Sequence, residues 1–80
     1  MLNCKIEIVE TDKTDIFYRP IKKDAFLIGN MSERQVILKA KKLAGWTGIK
    51  CKKIIDYDDC ITLRPVGINQ VMFIEPEYLE

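Results

Sequence analysis

Histidine is absent from this chain of 80 residues, and serine occurs once, at Ser32. The missing imidazole removes the commonest general base, the usual partner of a serine or cysteine nucleophile, and the commonest metal ligand. Glycine is scarce. Gly29, Gly45, Gly48 and Gly67 stand singly at the ends of segments, so no phosphate-cradling loop is present. Cys4, Cys51 and Cys60 are odd in number and widely spaced, with no Cys-x-x-Cys pair. A zinc site would need a carboxylate as its fourth ligand, and the three thiols read instead as small, reduced hydrophobes inside strands. No apolar run approaches the roughly 20 residues needed to cross a bilayer. The opening Met1-Leu2-Asn3-Cys4-Lys5 also lacks an apolar signal region. Together these absences predict a cytosolic, non-catalytic protein without metal, cofactor or membrane contact.

What remains is the composition of a folded domain. Hydrophobic residues make up 48% and charged residues 31%, enough apolar mass to offset the entropy of ordering a chain this short. One domain over residues 1–80 is expected, close to the size at which a single core is marginal. Net charge is only +1, so no global field draws the chain to nucleic acid or an anionic membrane. Locally the balance fails. Residues 33–53 hold seven basic side chains against Glu33 alone, whereas residues 54–80 hold Arg64 against six carboxylates. Such opposed blocks act on association and partner choice rather than on the fold.

The segments follow from periodicity. Leu2, Cys4, Ile6 and Ile8 alternate with Asn3, Lys5 and Glu7, which predicts a half-buried strand. Ile16 to Arg19 predicts a second strand paired back on it, and Pro20 places that strand at an edge or its end there. Lys22, Lys23 and Asp24 then interrupt the pattern before Ala25 to Ile28, a short strand or an apolar loop. A helix follows with full punctuation. Ser32 and Gln35 form a capping box, Met31 and Val36 a hydrophobic staple, and Gly45 a left-handed stop. Val36, Ile37, Ala40, Leu43 and Ala44 make its apolar stripe. Ile49 to Tyr57 predicts a third strand whose alternation changes phase near Lys53. Cys60 to Arg64 and Gln70 to Ile74 predict two more, the last ended by Pro76. The expectation is an α+β fold: an antiparallel sheet of about five strands in ββ-α-βββ order with one helix packed on one face.

Two clusters carry possible function. Asp56, Asp58 and Asp59 form the one carboxylate cluster, suited to a hard cation but lacking the glycine and distant glutamate of a calcium loop. A solvated hairpin tip between two strands accounts for them better, and with Glu75, Glu77 and Glu80 an acidic patch for a basic partner stays open. The stronger candidate is the outer face of the helix. Arg34, Leu38, Lys41 and Lys42 recur at helical spacing, with Lys50 and Lys52 beyond the stop at the margin. Exposed lysines alone only solubilise a helix. An apolar side chain among them makes a contact centre. No aromatic pair interleaves with the cations in the manner of RNA-stacking strands. Trp46 is placed to close the end of the core.

The helix SERQVILKAKKLAGW, the basic strand IKCKKI and the ending QVMFIEPEYL give a layout that resembles the small anti-CRISPR inhibitors encoded by phages and other mobile elements. That resemblance implies a single domain of a few strands around a short helix, with no catalytic set. It further implies docking on a host protein or ribonucleoprotein complex that handles nucleic acid, blocked sterically in the host cytosol. The chain departs from the family in one respect: many such inhibitors are strongly acidic mimics of nucleic acid, and this one is acidic only in its last third. A small nucleic-acid-binding regulator using the same cations is the alternative, and a monomer or a homodimer fits either.

Overall fold

The alternation of Cys4, Ile6 and Ile8 organises the protein, because those three side chains are almost wholly buried at the middle of a sheet. The computed structural model describes residues 2–12, 17–55 and 59–78. Its elements are β1 (Leu2–Thr11), β2 (Phe17–Leu27), α1 (Glu33–Ala44), β3 (Cys51–Ile55), β4 (Ile61–Pro65) and β5 (Gln70–Tyr78). The strands form one sheet in the order β2-β1-β5-β4-β3, every neighbouring pair antiparallel. This is the expected α+β architecture in ββ-α-βββ order.

Directly opposed residues of an antiparallel pair share a face, and the register therefore assigns the core. Phe26 lies opposite Cys4, Ile74 opposite Ile6, and Met72 opposite Ile8. Ile61 and Leu63 continue the row opposite Ile74 and Met72. Val36 and Ala40 of α1 close over this face, with Trp46 packed at its end. Ala40 has no exposed surface. Ile37, Leu43 and Ala44 pack beside it at the margin of the core, and the remaining face of α1 is turned outward.

The helix begins and ends as its residues require. Ser32 Oγ accepts from the Gln35 amide at 3.3 Å, and Gln35 Oε1 accepts from the Ser32 amide at 2.9 Å. At the other end Gly45 adopts φ 77°. The Trp46 amide then donates to the Lys41 carbonyl at 2.8 Å and the Gly45 amide to Lys42 at 3.2 Å, the paired bonds of a Schellman stop. Lys22 of β2 reaches across and donates to the Leu43 carbonyl, placing a cation at the negative end of the helix.

Four boundaries differ from expectation. β2 does not break at Lys22–Asp24 but runs unbroken to Leu27. It is an edge strand, where charges stay hydrated, and Lys22 finds a partner on the helix. β5 continues past Pro76 to Tyr78. Hydrogen bonding alternates sides along an antiparallel strand, and the nitrogen of Pro76 falls on the β4 side, beyond the last β4 partner at Ile61. No ladder bond is lost there. β3 begins at Cys51 rather than Ile49, the end expected at Tyr57 lies outside the described residues, and Cys60 precedes β4 rather than lying inside a strand.

Two outcomes test this packing. Ser32→Ala should lower stability by about 1 kcal/mol, seen as a melting point roughly 4–8 °C lower, while Thr47→Ala at an exposed site leaves it unchanged. Burial also pushes the Cys4 thiol above its ordinary 9.0 to about 11. The unfolded chain then loses that proton first, so this stabilising contribution is complete below pH 9.0 and lost as pH rises to about 11. The urea midpoint should fall across that window, and Cys4→Ala should flatten the fall.

Candidate functional site

The outward face of α1 follows from the face it buries. With Val36 and Ala40 against the sheet, Arg34, Leu38 and Lys42 are exposed and Lys41 is half-buried. Leu38 is 54% exposed, a large apolar side chain left in water. Residues three and four apart are neighbours on a helix surface, so Arg34, Lys41 and Lys42 surround it on both sides.

Strand β3 supplies a wall to this surface. Arg34, Ile37, Leu38 and Lys41 border a shallow depression of about 500 Å³, together with Glu33 and Lys53. Lys53 Nζ lies 2.7 Å from Glu33 Oε1, an exposed ion pair between the strand and the first turn of the helix. Cys51 of the same strand packs toward the core, within reach of the Lys41 charge. Burial raises its thiol pKa, and the nearby Lys41 ammonium partly offsets that rise. Three cations and one carboxylate border the depression, with Ile37 and Leu38 as its apolar floor. On the other flank Lys39 lies over the Phe26 ring at 5.2 Å, a cation–π contact that ties that lysine to β2.

The structure sorts the expected site residues into two groups. Arg34, Leu38 and Lys41 come together at the depression, and Lys42 is exposed one step further round the same helix. Lys52 does not join them. Cys51 packs toward the core and Lys53 reaches the helix, so strand alternation sends Lys52 to the opposite face of the sheet. Lys50 precedes β3, where its carbonyl accepts from the Val66 amide at 3.0 Å, and it does not line the depression.

Lys53, Glu33 and Ile37 are members that the helix pattern alone misses. The available signal was Cys51: taking that small hydrophobe as inward places Lys53 on the helix side and Lys52 away from it.

The acidic cluster is less defined. Asp56 and Asp58 lie outside the described residues, and Asp59 is exposed with φ 59°. Among the described residues, no group of three or more histidine, cysteine or carboxylate side chains converges on a metal position. No described helix is long and apolar enough to cross a membrane.

Set against models of protein families, curated proteins and solved structures, the chain matches none.

The Glu33–Lys53 pair is nearly half exposed at both ends, 48% and 46%, and water screens such pairs. Glu33→Gln should therefore shift stability by less than about 0.5 kcal/mol in urea unfolding. A larger loss would identify the pair as structural rather than as part of an open charged surface.

Proposed function

We propose that this protein is a non-catalytic binding module whose basic helix face docks on an acidic surface of a larger host complex that handles nucleic acid, and that it inhibits that complex by occupying the surface. The observation that carries the reading is Leu38, more than half exposed within a ring of Arg34, Lys41 and Lys42. What distinguishes Leu38 from the other exposed apolar side chains is its place among cations on one helix face. An interface has a use for such a residue, because apolar centres supply affinity while the charged rim sets on-rate and partner choice. The layout's resemblance to anti-CRISPR inhibitors supports inhibition by occupancy, since binding alone is then the activity.

Nucleic acid is the other acidic partner these cations suit, and salt separates the two. Phosphate contacts give an affinity that falls steeply between 50 and 200 mM salt, by roughly a thousandfold or more for six contacts. A protein interface with a leucine at its centre retains most of its affinity over that range.

The test is charge reversal. Replacing Arg34, Lys41 and Lys42 by Glu should leave the melting temperature within a few degrees, since none of the three builds the core. The same change should remove from a host-lysate capture the complex that the wild-type chain retains. Retention by the triple variant would eliminate this face. Binding of duplex or single-stranded DNA by the wild type, with a steep salt slope, would replace the inhibitor reading by the regulator.

A further inference from the structure

The two ends of the sheet are built differently. β2 ends it on one side, and that strand carries Pro20 together with register irregularities where it passes Val9 and Thr11. Bulges, prolines and charges are the usual means of stopping an edge from pairing. β3 ends it on the other side without a proline or a bulge, and its only charges are Lys52 and Lys53. Its register against β4 runs without a shift from Cys51 opposite Pro65 to Ile55 opposite Ile61. No described strand pairs with its outer side.

The outward groups of β3 can be assigned. Val66 donates to the Lys50 carbonyl, and Pro65, opposite Cys51, has no amide to donate. Bonding toward β4 therefore falls at Lys52 and Ile54, while the amides and carbonyls of Cys51, Lys53 and Ile55 face away from the sheet. The side chains along this edge are a second observation. Ile54 is 47% and Ile55 46% exposed, and alternation puts them on opposite faces. Lys52 and Lys53 precede them in the same way, one on each face. Two cations followed by two apolar residues make a readable pattern along an open edge.

We propose that β3 accepts an added strand from an acidic partner, an extended segment that sets acidic residues opposite Lys52 and Lys53 and apolar residues opposite Ile54 and Ile55. This rests on the reading of the neighbouring helix face as a docking surface, and it names the shape and chemistry of what docks. Backbone pairing along an edge supplies affinity, and the alternating side chains supply selectivity. Charge decides against a second copy of this chain. A symmetric antiparallel pairing centred on the strand sets Lys53 opposite Lys53, and like charges across a pair are destabilising. Lys53 is able to change partner because its bond to Glu33 is a screened surface pair. Carboxylates on the helix side of the added strand then lie near Arg34 and Lys41 as well, so both surfaces act on one ligand.

The probes are three short synthetic peptides: Val-Val-Glu-Glu-Val, its reverse Val-Glu-Glu-Val-Val to cover parallel pairing, and Val-Val-Lys-Lys-Val as the charge control. The measurement is amide hydrogen exchange by NMR on the intact protein. With one of the glutamate peptides, exchange at Cys51, Lys53 and Ile55 should slow about tenfold, with no change at Lys52 and Ile54, which already bond to β4. The lysine peptide should have no effect. Ile55→Pro removes an outward amide without removing a β4 bond, and should weaken glutamate-peptide binding about tenfold. Should that variant not fold, the alternating pattern in the wild type decides alone. Absence of protection at millimolar glutamate peptide, equal response to the lysine peptide, or protection in the free protein that rises with its own concentration would each overturn the proposal. The Arg34, Lys41 and Lys42 charge-reversed variant separates the two readings. If it loses the host complex while no peptide protects β3, the helix face stands and the edge fails; if the peptide protects β3 and the variant still binds the complex, the reverse holds.

Discussion

The β1–β5 pairing is the constraint on which the rest of the structure depends. Chain order would otherwise leave two separate pieces, the β1–β2 hairpin and the β3–β4–β5 meander. They become one sheet because β1 pairs with β5 from Leu2 opposite Tyr78 to Glu10 opposite Gln70, with no shift in register. A slip of one residue would turn Cys4, Ile6 and Ile8 to water and bring Lys5 and Glu7 under the helix. The cost of burying those charges fixes the register more firmly than the hydrogen bonds do. Once it is fixed, the rows of Ile6 with Ile74 and Ile8 with Met72 form the seat on which Val36 and Ala40 rest.

The position of that seat determines what the surface displays. Because Ala40 touches the sheet directly, α1 cannot roll about its axis without exposing Val36 or driving a larger side chain into the gap. Leu38 and its cations are therefore held facing solvent by packing on the far side of the helix. Two exposed polar contacts accompany this packing: Lys22 of β2 donates to the Leu43 carbonyl at the end of the helix, and Lys53 of β3 to Glu33 at its start.

Much of this was legible in the residues, where the determinant is local. The capping box, the left-handed Gly45, the apolar stripe and the alternation in β1 each involve neighbours within four or five positions, and the fold shows each as read. The misreadings share a different origin. Lys22–Asp24 looked like a break because the group that receives Lys22, the Leu43 carbonyl, lies 21 residues away. Pro76 looked like a strand end because its consequence depends on where β4 stops. Helical spacing extended past the stop selects Lys52 and misses Lys53, because the inward phase of β3 is set by Cys51 packing against the core. Of the candidate surface, the helical members were readable and the strand wall was not.

Unequal edges also limit how large an assembly built from this chain can grow. A fibril needs two competent ends on every subunit, one to template and one to be templated. Pro20 and the irregular passage of β2 past Val9 and Thr11 interrupt one of them, and Lys53 facing Lys53 opposes self-pairing at the other. Growth of a continuous sheet from copies of this chain is therefore opposed at both ends.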